Sequence, residues 1–101
     1  MPDNIHHYFK REWDETTGDE LTDSWGRSTF YFETDDQYIV VRQVQIFENE
    51  NALKYDTEYV DDKFGGLSEA PIDMEEFAEY SITKEEFDQV WNTSSYNGLP
   101  E

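Results

Sequence analysis

Apolar and polar residues alternate with a period of two through most of the first sixty positions. This period places successive side chains on opposite faces of an extended chain, and it predicts β-strands. Polar segments with turn-forming residues interrupt the pattern, including Asp35-Asp36 and Asn49-Glu50-Asn51, and they predict hairpins between neighbouring strands. The predicted strands cover residues 5–13, 27–33, 38–47 and 53–59.

The third predicted strand has apolar residues on both of its faces. Alternation assigns Tyr38, Val40, Val44 and Ile46 to one face and Ile39, Val41 and Phe47 to the other. Such a pattern is typical of a central strand that is covered on each side for part of its length.

After Val60 the pattern changes to the spacing of short helices. Asp73 is placed to cap a first helix, and Thr83 is placed to cap a second one. Apolar residues recur at helical intervals within both segments, and we expect them to pack the two helices on one face of the sheet. These apolar residues are Phe77, Phe87, Val90 and Trp91.

The order of elements predicts an α+β fold, an antiparallel β-meander of about four strands followed by two short C-terminal helices. A length of 101 residues predicts a single domain over 1–101, with 97–101 as a frayed tail. The longest apolar run, residues 38–41, is too short to span a bilayer. The first residues lack the pattern of a secretory signal, so a cytoplasmic location is expected.

The chain combines a strong negative charge with many aromatic residues. It has 25 acidic against 7 basic residues, a formal net charge of −18, and three Trp, seven Tyr and seven Phe. Acidic disordered chains are usually poor in aromatic residues, so this composition predicts a folded acidic domain. The charge can serve solubility, or it can steer a basic partner into contact. It disfavours direct binding to nucleic acid or to an anionic membrane.

Residue patterns typical of catalysis or metal binding are missing from the sequence. Cysteine is absent, which excludes disulfides and thiolate zinc sites. His6 and His7 are adjacent in a predicted strand, so their rings point to opposite faces and do not share one metal ion. No Gly-rich phosphate loop is present. We therefore expect neither an enzyme nor a cofactor or metal, and we expect Arg27 and Arg42 to pair with acidic residues across strands.

Acidic residues gather at and after the fourth predicted strand, among tyrosines. Acids in the helices have an ordinary explanation as solvated faces or as favourable charges near helix N-termini. Acids between residues 56 and 62 have no capping role, and aromatic side chains amid charge are typical anchors of protein interfaces. The predicted partner-binding residues are Tyr55, Asp56, Glu58, Tyr59, Asp61, Asp62 and Glu69.

Four motifs make the chain resemble a small bacterial domain family that recurs with polymorphic and contact-dependent toxin systems. They are Tyr8-Phe9-Lys10 followed by Trp13, and segments 41–47 (VRQVQIF), 65–72 (GGLSEAPI) and 82–91 (ITKEEFDQVW). The chain departs from the family in being more acidic and in having residues 49–51 where a tighter Asp-Gly turn is common. The resemblance implies this fold and an immunity role, and it carries over no catalytic residue.

Charge and resemblance together lead to one main hypothesis and two alternatives. The main hypothesis is an immunity protein that binds a cationic toxin domain, a nuclease, and occludes its basic active-site cleft. One alternative is an acidic mimic of nucleic acid that inhibits a DNA-binding protein, of the phage anti-restriction type. The other is a regulatory binding module with no toxin partner.

Overall fold

A four-stranded antiparallel sheet forms the centre of the protein in a computed structural model. The structure describes residues 6–16, 18, 20, 22–62, 65–69 and 71–93, without the side chains of Asp62 and Met74, and the predicted tail 97–101 lies outside it. The four strands are β1 (His7–Trp13), β2 (Ser28–Thr34), β3 (Val40–Phe47) and β4 (Ala52–Asp56). They lie in the order β1-β2-β3-β4, and each is antiparallel to the next, so the predicted meander is confirmed.

Short polar turns connect the inner strands, as the sequence predicts. The Asp35 carboxylate accepts hydrogen bonds from the backbone N–H groups of Gln37 and Ile39, at 2.9 and 3.0 Å. After β3, the Asn49 side chain accepts one from the backbone of Asn51 at 3.0 Å, and Glu50 adopts a positive φ of 76°. Side-chain acceptors that replace backbone partners are what makes Asp and Asn frequent in turns.

Smaller elements follow the sheet. They are a two-stranded hairpin of β5 (Asp61–Asp62) and β6 (Gly65–Gly66), helix α1 (Met74–Phe77), a 3₁₀ turn (Ala78–Tyr80) and helix α2 (Lys84–Thr93). Both predicted caps are confirmed, because Asp73 accepts from the backbone of Glu75 at 2.9 Å and Thr83 accepts from that of Glu86 at 3.1 Å. Among the described residues, no helix is long and apolar enough to cross a membrane.

The two helices pack on opposite faces of the sheet, so the prediction of a shared face is wrong. The Phe77 ring contacts those of Phe9 and Phe32, with centroids 5.9 and 6.0 Å apart. The Phe87 ring contacts Tyr8 instead, at 5.6 Å. Tyr8 and Phe9 are neighbours along β1 and point to opposite faces. We call the face that carries Phe9 the first face and the one that carries Tyr8 the second face.

The chain changes face at the β1 edge of the sheet. Ser81 forms an isolated antiparallel bridge with Phe9, and the Ile82 N–H donates to the Tyr8 carbonyl at 2.9 Å. This contact follows α1 on the first face and precedes α2 on the second. A sheet with apolar residues on both faces has to be covered twice, and a connection around its edge places one helix on each side.

A β-bulge in β3 changes the predicted faces of that strand. Thr34 pairs with Val40 while the preceding Glu33 pairs with Arg42, so the register shifts by one residue between them. An extra residue in one strand reverses the alternation beyond it. Val40 and Tyr38 accordingly pack with Phe9 on the first face, and not on the face of Val44 as alternation predicts.

Candidate protein-binding surface

The fourth strand is shorter than predicted, because Asp56 ends it with a turn. The backbone N–H groups of Glu58 and Tyr59 donate to Asp56 Oδ1 at 2.8 and 2.7 Å, and the Asp56 N–H donates to the Tyr59 carbonyl at 3.1 Å. The carboxylate thus forms an Asx-type turn. Asp56 was predicted to contact a partner, and the structure gives it a role within the fold.

The two tyrosines of this segment belong to the core and its border. Tyr55 is 1 % exposed and packs with Phe47 and Leu53. Tyr59 is half-buried, and its ring stacks on that of Tyr55 with centroids 6.0 Å apart. The expectation that Tyr55 presents its ring to a partner is wrong, because Tyr55 lies on the first face of the sheet, where Tyr59 and Leu67 pack against its cluster.

Three of the predicted acids are exposed around the small hairpin. Glu58, Asp61 and Glu69 are exposed, and none of them forms an ion pair with another described residue. Asp61 pairs with Gly66 across the hairpin, and the next backbone bond joins the Leu67 N–H to the Val60 carbonyl at 2.8 Å. We call these three carboxylates the hairpin acids. The side chain of Asp62, also predicted to bind a partner, lies outside the described residues.

Basic side chains, in contrast, are occupied within the molecule. Of the seven, Lys63 lies outside the described residues, and each of the other six contacts a carboxylate or an aromatic ring of the same chain. The ion pairs join Arg11 to Glu76, Arg27 to Glu48, Arg42 to Glu33 and Asp88, and Lys84 to Asp88. The charges that remain on the described surface are therefore mostly carboxylates without a basic neighbour.

The two remaining lysines lie over aromatic rings. Lys54 is buried, with its Nζ 4.2 Å from the centre of the Trp91 ring, and it donates to the Trp91 carbonyl at 2.9 Å. Burial lowers the pKa of Lys54. Lys10 lies 5.7 Å from the centre of the Tyr31 ring. Both contacts have the geometry of cation–π interactions.

A polar network lies under α2 on the second face. Glu33 is only 4 % exposed, and its carboxylate is hydrogen-bonded to Arg42 and to His6. Arg42 also donates to Asp88 at 3.1 Å. The hydrogen bond from Lys84, followed by that from Arg42, holds the pKa of Asp88 below its usual value. The predicted cross-strand partner of Arg42 is thus confirmed, since Glu33 is its neighbour in the register.

The first face is open at one end, where an aromatic groove lies. Its volume is about 410 Å³, and it is lined by Arg11, Trp13, Phe30, Phe32, Gln45 and Phe77. Trp13 is 42 % exposed. This groove is not among the sites predicted from the sequence. Alternation along β1 places Arg11 and Trp13 on the face of Phe9, so the sequence does show which residues share that face. It does not show that a groove is left there, because the depth and openness of the groove depend on where the helices pack.

Within the described residues, no group of three or more His, Asp or Glu side chains is arranged to hold a metal ion. No protein-family model, curated protein or solved structure gives a significant match to this chain.

Proposed function

We propose that this protein is an immunity protein that binds and neutralises a cationic toxin domain, a nuclease, in the cytoplasm. One observation carries the proposal, namely that the described basic side chains contact carboxylates or aromatic rings of the same chain, whereas the hairpin acids have no basic partner among the described residues. The chain has a net charge of −18, and its described basic side chains are held in internal contacts while the hairpin acids face solvent. The resemblance to a toxin-associated family supports the same function.

The mechanism follows from the chemistry of the target. A nuclease has to attract phosphates, so its cleft is lined by Lys and Arg. An acidic surface of matching shape competes for those groups and blocks the cleft. Complementary charge also raises the association rate by a factor of about 10 to 1,000 at low ionic strength. Fast capture matters for a toxin that acts inside the cell that makes it.

The hairpin acids are the proposed contact residues. The side-chain carboxylates of Glu58, Asp61 and Glu69 are exposed and take no part in the turn that the Asp56 carboxylate holds. Tyr59 borders them and is half-buried, so it can add apolar contact at the edge. A nucleic-acid mimic would use the same charge against a DNA-binding protein, and the identity of the neighbouring gene separates the two functions.

The test is a binding titration with the product of the neighbouring gene, using native protein and the double variant Glu58→Lys/Asp61→Lys. We expect about tenfold slower association for the variant, because each reversal replaces attraction by repulsion. Folding should be unaffected, since surface substitutions seldom change stability by more than about 0.5 kcal/mol. Native binding should weaken as salt rises from about 10 mM to about 150 mM.

The matched control is Glu20→Lys/Asp36→Lys, which changes the net charge equally at two exposed acids outside the helices and strands. If binding depends on the hairpin acids, the Glu58→Lys/Asp61→Lys variant loses more affinity than the control variant does. Equal loss in both variants would mean that only the total charge matters. Salt-independent binding, insensitive to both pairs, would assign the acidic surface to solubility and refute the proposed interface.

A further inference from the structure

The aromatic groove on the first face has a continuous floor of rings. The Trp13 ring meets Phe30 edge-on with centroids 6.5 Å apart, and Phe30 stacks on Phe32 at 5.5 Å. Phe32 in turn meets Phe77 at 6.0 Å. The floor therefore runs from an exposed ring at the end of β1 to a ring packed on the buried core. Such a floor offers apolar area that is already ordered before any partner arrives.

The polar groups of the groove are satisfied within the chain. Gln45 donates to Ser28 at 2.9 Å, and Arg11 is hydrogen-bonded to Glu76. The Arg11 guanidinium also lies 5.0 Å from the centre of the Phe77 ring. An occupant of the groove therefore meets mainly aromatic rings, so an apolar side chain fits it best.

Carboxylates flank the groove on two sides. Asp14 follows Trp13 in sequence, is exposed, and lines a neighbouring depression together with Trp13 and with Arg27, whose charge is paired with Glu48. On the side of α1, Glu79 is exposed, and after the hydrogen bond to Glu76 its charge adds to the rise in the pKa of Arg11. The one basic group in the lining, Arg11, is thus matched by acidic neighbours. The rim attracts positive charge while the floor attracts apolar surface.

We propose that this groove binds a basic segment of the partner protein, in which one large apolar side chain is flanked by Lys or Arg. The apolar side chain lies on Phe30 and Phe32 against Trp13, and the flanking cations face Asp14 and Glu79. Exposed Trp is enriched among the residues that dominate binding energy in interfaces. The proposal rests on the proposed function for the identity of the partner, and it adds an apolar anchor away from the hairpin acids.

The first experiment uses a defined probe, the peptide Lys-Lys-Phe-Lys-Lys, titrated into ¹⁵N-labelled protein. We expect the indole N–H signal of Trp13 to shift and saturate. The peptide with Gly in place of Phe should bind about tenfold more weakly, because it loses the burial of one aromatic side chain. Equal affinity for the two peptides, absence of binding, or shifts confined to the hairpin acids would overturn the proposal.

Variants provide the second test. Trp13→Ala should weaken binding of the Phe peptide at least about tenfold. Ile39→Ala is the matched control, since Ile39 is a large apolar residue of similar exposure, 38 %, outside the groove lining. Trp13→Phe keeps an aromatic ring and should retain binding even if the alanine variant folds poorly. An effect of Ile39→Ala equal to that of Trp13→Ala would refute a specific groove.

Toxin neutralisation separates this proposal from the proposed function. If the product of the neighbouring gene binds Trp13→Ala as tightly as it binds the native protein and is neutralised by both, the groove proposal fails and the immunity function stands. If the Phe peptide occupies the groove but the native protein neutralises no product of the neighbouring gene, the immunity function fails and the groove stands.

Discussion

Arg42 connects three parts of the molecule through one side chain. It is hydrogen-bonded to the buried carboxylate of Glu33 and to Asp88 on α2, and its guanidinium lies 5.0 and 4.9 Å from the centres of the Phe87 and Trp91 rings. A planar guanidinium suits this place, because it forms directed hydrogen bonds and stacks on rings at the same time. A buried carboxylate without such a partner is costly.

We therefore expect Arg42→Met to lower the free energy of unfolding by about 3 kcal/mol, because Glu33 is left buried without its main counter-charge. The double variant Arg42→Met/Glu33→Met should recover much of that loss, since neither charge then remains. Urea unfolding followed by circular dichroism measures both. Additive effects of the two single substitutions would contradict this coupling.

Helix α2 is joined to the sheet by rings as well as by charges. Phe87 is fully buried against Tyr8, whereas Trp91 is half-buried, stacks on Phe87 and covers the ammonium group of Lys54. The helix has ten residues, too few for a stable helix in isolation, so these contacts hold it in place.

Phe87→Ala should cost about 3–5 kcal/mol of stability, and Trp91→Ala should cost less, about 2 kcal/mol, because part of the indole is already in solvent. Thermal melts of the two variants show which substitution lowers the melting temperature more. A larger effect at Trp91 than at Phe87 would contradict the burial of Phe87, and an unchanged melt of Trp91→Ala would place that ring outside the packing of α2. The exposed residue Gln89 on the same helix supplies the control Gln89→Ala.

The whole molecule carries a large excess of negative charge. With a net charge of −18 on 101 residues, the folded state brings many carboxylates closer together than the unfolded chain does. This repulsion opposes folding, and the internal ion pairs offset only a part of it. A partner with a basic surface would relieve it on binding.

Salt should therefore stabilise the free protein. We expect the melting temperature to rise by several degrees between about 20 mM and about 500 mM NaCl, because the screening length falls and carboxylate repulsion weakens. The variant Glu58→Lys/Asp61→Lys carries less net negative charge, so its melting temperature should depend less on salt. A native melting temperature that falls with added salt would show that the internal ion pairs outweigh the repulsion.

Local patterns were sufficient to predict much of the fold. Strand period, turn residues such as Asp35 and Asn49, and the helix caps Asp73 and Thr83 act over a few residues, so the sequence shows them directly. The apolar residues on both faces of β3 also indicated a strand covered on two sides. The exposure of Glu58, Asp61 and Glu69 could be predicted in the same way, because charged side chains are seldom buried without a partner.

Longer-range packing decided the rest. The bulge that moves Val40 to the first face depends on pairing with β2, and the burial of Tyr55 depends on the chain that crosses that face. The placement of α1 and α2 on opposite faces depends on the contact of Ser81 with the β1 edge. Alternation shows that neighbouring side chains of a strand point to opposite faces of the sheet, but it does not show which face other elements will cover. The aromatic groove around Trp13 is the part of the first face that the packing leaves open, so it could not be predicted from alternation alone.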